Sequence, residues 1–183
     1  MKIDPHPRPS LRLGGAIAVI VASLAGTLLA TAPVAAATDL GVVPRVHGWT
    51  PATGTYAYTG TSRLVVDSAD AGLTTTGITA PLASKNTLLQ TAQNLAAELG
   101  SVTGRAPAVV TAASASPGDI FVTLDAGVST NVEGYKADLG NIATLSAPAT
   151  SGIYYAGETL LQLLRTDSAH ASAPAGVMGL LHG

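Results

Sequence analysis

The 183-residue sequence predicts an α+β domain, an antiparallel β-sheet with two helices packed on one face. Two observations carry this. Short β-type runs outnumber the helical patterns, of which there are two, and the order is β-β-α-β-β-β-β-α. Neighbouring β-runs are joined by Gly-, Ser- or Pro-bearing turns, as in hairpins. No internal repeat is visible.

Residues 1–37 form a targeting segment. Lys2, Arg8 and Arg12 make a positive start, residues 13–37 carry no charge, and Ala35-Ala36-Ala37 offers the small side chains a signal peptidase accepts. An apolar run of this length could also span a bilayer. The small residues and Pro33 at its end favour cleavage, leaving no stable membrane span, and either outcome predicts an exported, secreted chain. Arg8 and Arg12 are not adjacent, so no twin-arginine signal is present.

Residues 38–166 then form one domain, with 167–183 as a mobile tail. From residue 38 onward six Lys/Arg face ten Asp/Glu, so there is no basic patch for nucleic acid. Cysteine is absent. Without disulfides, hydrophobic burial must hold the domain together.

Residues 63–67 (RLVVD) are a β-branched run and predict a buried strand. Residues 70–81 are rich in Gly, Thr and Ser and read as loop. Residues 84–99 predict a helix: Leu88, Leu89, Ala92, Leu95, Ala96 and Leu99 fall on a stripe of roughly 120°, with Gln90, Gln93, Asn94 and Glu98 facing away. Gly100 is placed as the residue that ends it. Residues 108–111 and 119–124 predict two strands separated by a Ser/Pro/Gly turn. Tyr135, Ala137 and Leu139 alternate with Lys136 and Asp138, the pattern of a half-buried strand. Gly140-Asn141 supplies a two-residue turn into residues 142–145. Pro148 stops that strand, and Thr150 or Ser151 can cap the last helix, 153–164. Its apolar residues cover roughly half the circumference, wider than one sheet contact needs. Such a helix is expected to touch a second partner.

The stretch Glu133-Gly134-Tyr135, a hairpin, Ser151-Gly152-Ile153-Tyr154-Tyr155 and then Thr159-Leu160-Leu161-Gln162-Leu163-Leu164 resembles the end of a particular domain. It is similar to the non-catalytic N-terminal domain of glycoside hydrolase family 20, the β-N-acetylhexosaminidases, where "EGY", "G-[LI]-[FY]-Y-[GA]" and "TLLQLL" follow in that order. Val42-Val43-Pro44-Arg45 resembles the "IPRP" opening of that domain, Gly54 to Tyr58 its first strand, and Ala92 to Gly104 its first helix. The resemblance spans about residues 42–164. It implies a following TIM barrel whose H-x-G-G-D-E motif holds the catalytic pair, the Asp orienting the substrate's acetamido group and the Glu protonating the leaving oxygen. Both helices would lie between the sheet and that barrel.

The sequence contains no adjacent Asp-Glu pair and no such motif. The expectation is therefore no catalytic, no cofactor-binding and no metal-binding residue. His47 lies beside Trp49 near the start, His170 and His182 lie in the tail, and no set has zinc-ligand spacing. Asp67 and Asp70 flank a strand end, and Glu133 and Glu158 read as structural or solvated. No P-loop, G-x-S-x-G or G-x-G-x-x-G occurs.

The function expected is thus the accessory domain of an exported β-N-acetylhexosaminidase, acting on terminal N-acetylhexosamine of glycans such as chitin oligosaccharides. Separated from its barrel it would be a truncated chain, inactive by itself. The alternative is a stand-alone secreted module that binds carbohydrate or protein, for which the chain is poor in the aromatics that stack on sugars. An unrecognised enzyme site is a third possibility. With the barrel missing, the Tyr154, Leu161 and Leu164 side of the last helix is expected to face water and to drive self-association.

Overall fold

Three consecutive buried residues mark a strand that is covered on both faces. Leu64, Val65 and Val66 are fully buried, so neither face of their strand is open to water there, as near-continuous apolar runs require. The computed structural model describes residues 40, 42, 46–78 and 85–180, with the backbone alone at His47 and Leu180. Within it the elements are β1 (His47–Ala57), β2 (Arg63–Asp67), α1 (Leu88–Thr103), β3 (Ala108–Ala112), β4 (Ile120–Leu124), β5 (Tyr135–Leu139), β6 (Ala143–Ala147), α2 (Thr150–Thr166) and β7 (Ser172–Leu180). The targeting segment and the Pro44-Arg45 motif lie outside the described residues.

The strands form one sheet in the order β1-β7-β5-β6-β4-β2-β3. The α+β class and the two helices match the sequence-based expectation. The sheet itself is mixed. β1–β7, β7–β5 and β5–β6 pair antiparallel, while β6–β4, β4–β2 and β2–β3 are parallel. A crossover through α1 joins β2 to β3, the connection a parallel pair needs. Local turn signals report only which strands follow one another, so they do not reveal this half of the sheet.

One core lies between the sheet and the helices. Leu64, Val66, Ile120, Val122, Ala137 and Leu145 from the strands meet Leu88, Leu99, Ile153, Leu160 and Leu164 from the helices. Helix α1 covers β2, β3 and β4, and α2 covers β5, β6 and β7.

Helix α1 starts on a capping box. The Thr87 hydroxyl accepts from the Gln90 amide at 3.3 Å and the Gln90 side chain accepts from the Thr87 amide at 2.9 Å. It ends not at Gly100 but one turn later, at Gly104 (φ +71°). Gly100 is instead a close-approach residue, since a Cβ there would stand 2.8 Å from that of Ala106 in the returning chain. The β5–β6 connection also differs from a two-residue turn. Leu139 pairs with Ala143, so Gly140, Asn141 and Ile142 all lie in the loop, closed by the Gly140 amide donating to the Ile142 carbonyl.

The largest correction concerns the C-terminus. Residues 172–180 are not a mobile tail; they are β7, inserted between β1 and β5. The domain boundary expected at residue 166 disappears, and Ala35–Gly183 is one compact unit. Asp167 makes the turn that feeds β7, its carboxylate accepting from the amides of Ala169, Ala171 and Ser172 and from the Ser172 hydroxyl. Those bonds hold its carboxyl below the usual aspartate range, the Ala171 amide contributing most. Pro174 is tolerated because β5 pairs only with residues 176–180, so its missing N–H has a single neighbouring strand to serve.

Candidate functional site: the groove between the two helices

Helices α1 and α2 pack side by side, and a glycine sets how closely. A Cβ on Gly157 would meet Leu95 at 2.8 Å, so the crossing is as tight as the Leu95 side chain allows. Just outside the crossing lies a groove of about 520 Å³. Asn94, Leu95 and Glu98 come from α1, and Ser151, Tyr154 and Tyr155 from the start of α2. Its location follows from helical spacing. Residues 94, 95 and 98 share one side of α1, and 151, 154, 155 and 158 share one side of α2.

The groove is aromatic and acidic. Tyr154 is 49% exposed, unusual for a large side chain in this domain, and stands edge-on to Tyr155 with ring centroids 5.5 Å apart at 68°. Glu98 of α1 lines the groove, and Glu158 of α2 lies near enough to act on it. Burial pushes the Glu98 carboxyl up, the Glu158 hydrogen bond and charge push it further, and Arg165 pulls it back. The Tyr154 hydroxyl is also pushed up, chiefly by the Glu158 charge and then by burial, Glu98 and Tyr155. Among the described residues no lysine or arginine lines the groove.

A carboxyl raised in the fold binds its proton more tightly than in the unfolded chain. Its contribution is most favourable below the unfolded value and is lost as pH rises through the folded one. E98Q, permanently neutral, is therefore expected to be the more stable protein near neutral pH, by about 0.5–1 kcal/mol. The gap should close toward acid pH. Thermal melts at both ends check this, and a gap that is constant or reversed counts against a raised Glu98 carboxyl.

The residues weighed from sequence lie elsewhere. Asp67 and Asp70 meet at the end of β4, where the Thr123 hydroxyl lies 3.3 Å and 3.0 Å from their carboxylates and the Leu124 amide donates to Asp70 at 2.7 Å. They hold the β2 exit against β4. His170 takes a positive φ of 50° in the α2–β7 turn, with Nδ1 against the Leu164 carbonyl. Glu133 is exposed in the loop before β5, and His182 lies outside the described residues. Among the described residues no group of three or more His, Asp or Glu is placed to hold a metal ion, and no helix is long and apolar enough to cross a membrane. The proximity of Glu158 to Glu98 was not legible in sequence. Each residue reads singly as a solvated helix position, and only the crossing at Gly157 joins them.

The expected exposed seam on α2 needs correction. Leu161 is 1% exposed and Leu164 is fully buried, while Tyr154 alone remains open. The helix does have two partners across its wide apolar arc. They are a three-stranded stretch of the sheet, β7 included, and α1.

No match appears among curated protein sequences. Among solved structures, the β-N-acetylhexosaminidase of glycoside hydrolase family 20 from Streptomyces coelicolor superposes with a TM-score of 0.57 at 21% identity, covering 77% of this chain and 26% of that one. The Streptomyces plicatus N-acetyl-β-hexosaminidase in complex with thio-NAglucal gives 0.56 at 21%, covering 81% and 27%. The exo-β-N-acetylglucosaminidase from Vibrio harveyi gives 0.53 at 16%, covering 75% and 18%. These likenesses are of fold, and this chain spans roughly a quarter or less of each enzyme's length. The family model "Glycosyl hydrolase family 20, domain 2" matches residues 39–178, which takes in both helices and nearly all of β7. By that match the chain belongs to the domain 2 family of glycosyl hydrolase family 20.

Proposed function

We propose that this is the accessory, non-catalytic domain of an exported β-N-acetylhexosaminidase, and that hydrolysis resides in a catalytic barrel outside these 183 residues. The family match over residues 39–178 carries the reading. The lack of any adjacent Asp-Glu pair supports the non-catalytic part. The barrel seats on the outer face of α1 and α2, where Tyr154 is left open.

Purified protein from residue 38 onward is expected to leave a chromogenic N-acetylglucosaminide unhydrolysed. Turnover that survives stringent purification and responds to substitutions in this chain would overturn the proposal.

Export rests on Lys2, Arg8 and Arg12 followed by an uncharged run that closes on Ala35-Ala36-Ala37. Replacing Ala35 and Ala37 by arginine should stop processing, so that the precursor retains its leader. Mass spectrometry of cell and medium fractions reads the outcome, and an unchanged mature N-terminus would count against this cleavage site.

A further inference from the structure

We propose that β3 pairs edge to edge with β3 of a second copy of this chain, antiparallel about a two-fold axis at Val110. The two sheets then become one. The barrel is proposed to sit on the helices, whereas β3 lies at the side of the sheet, so the two contacts stand or fall separately.

The two edges of the sheet are built differently. At one, β1 is interrupted by two register shifts, carries Pro51, and holds Gly48 and Gly54 at positive φ. Such features keep a free edge from pairing further. At the other edge β3 has none of them. It runs in unbroken register with β2 from Ala108 to Ala112, and residues 106–118 carry no charge. Ala108 and Thr111 are exposed. Helix α1 lies over β2, β3 and β4, with β2 in the middle, so it is centred one strand in from this edge.

The outward backbone groups follow from one bond. The Ser68 amide donates to the Ala112 carbonyl at 3.2 Å, so Ala112 turns its backbone groups toward β2. These groups alternate along a strand, so Ala108 and Val110 also serve β2, and Val109 and Thr111 point outward. An antiparallel copy centred on Val110 sets each Val109 against the other's Thr111, and these exchange both N–H···O=C bonds. Centring on Val109 would instead bring Thr111 opposite Pro107, which has no N–H to give. Centring on Thr111 would carry Val109 past the end of the strand to Ala113. In the favoured register Ala108 meets Ala112 and Val110 meets itself. The segment reads small, branched, branched, branched, small in either direction, so it is its own complement. Such a contact is isologous, and with β1 blunted the sheet stops at a pair. A solvated edge that binds nothing is the competing account.

The test uses the compact unit Ala35–Gly183. Sedimentation over a range of concentrations should show its mass rising toward twice the monomer's and no further. V110K and V110E should each stay monomeric, because like charges then face each other across the axis, and an equimolar mixture should regain the dimer. Circular dichroism checks that both stay folded. V110C reports without any charge, since the chain has no cysteine of its own. Facing Cα atoms about 4.5 Å apart fall within the ~4.4–6.8 Å that a disulfide spans. Under mild oxidation V110C should therefore cross-link as a dimer far faster than E133C, in the exposed loop before β5. If the charged variants unfold, the cysteine pair decides. A monomer's mass up to the solubility limit, association unchanged in V110K and V110E, or a mixture that stays monomeric overturns the proposal. So does growth beyond a dimer, or equal cross-linking of the two cysteine variants.

Discussion

Replacing Leu161 by lysine is expected to unfold the domain. Its side chain is 1% exposed in the core beneath α2. Removing a buried leucine side chain costs about 2–5 kcal/mol, and burying an unpaired ammonium in its place costs more. That is comparable to the ~5–15 kcal/mol that holds a domain together. Urea titration followed by far-ultraviolet circular dichroism should show no folded baseline for L161K, and for Leu161→Ala a midpoint well below the parent's. If L161K were instead more soluble at an unchanged midpoint, Leu161 would be a surface residue and the packing of α2 described above would be wrong. The sequence alone suggests that opposite result, because the width of an apolar arc shows how many neighbours a helix has and not which ones.

Ending the chain after Thr166 is expected to be equally severe. Strand β7 separates β1 from β5, so its loss leaves β1 with no partner among the described strands and exposes the edge of β5. Buried Ala173 and Met178 leave the core at the same time. The truncated chain should give no cooperative thermal transition and should aggregate; a sharp transition near the parent's would show that β7 is dispensable. Gly179→Val is a gentler version. A Cβ at position 179 runs into the backbone carbonyl of Tyr135, which cannot swing away as a side chain can, so β5 and β7 must part locally. That variant should lower the melting temperature while leaving a recognisable fold.

The elements legible in sequence were those whose signal is local. The buried run Leu64-Val65-Val66, the alternation in β5 and the stripe on α1 each reappear in the fold, because each is written in the spacing of its own residues. Strand β7 was not legible. Its sequence SAPAGVMGL has a single β-branched residue, two glycines and a proline, so it lacks the propensity expected of a strand. It is a strand because it fills a slot between two others, where small residues let the backbones close up. The parallel half of the sheet escaped for a related reason, since strand order is a property of crossovers and not of runs. Within the groove, Tyr154 was correctly expected to stay open, but the sides of the groove, Asn94 to Glu98 and Ser151 to Tyr155, lie more than 50 positions apart in the chain and come together only in three dimensions.

The pairing of β1 with β7 joins the beginning of the described domain to its end. His47 lies opposite Gly179 and Thr50 opposite Val177, so this part of the sheet closes a loop of well over a hundred residues. Contacts of such long range are slow to form, because the chain must give up the entropy of the whole loop before the pairing returns anything. On a ribosome, β1 emerges early and then has no partner until the last strand has been made. The sheet therefore cannot be completed before β7 has left the ribosome, and β1 spends that interval as an unpaired strand that a holdase chaperone can engage.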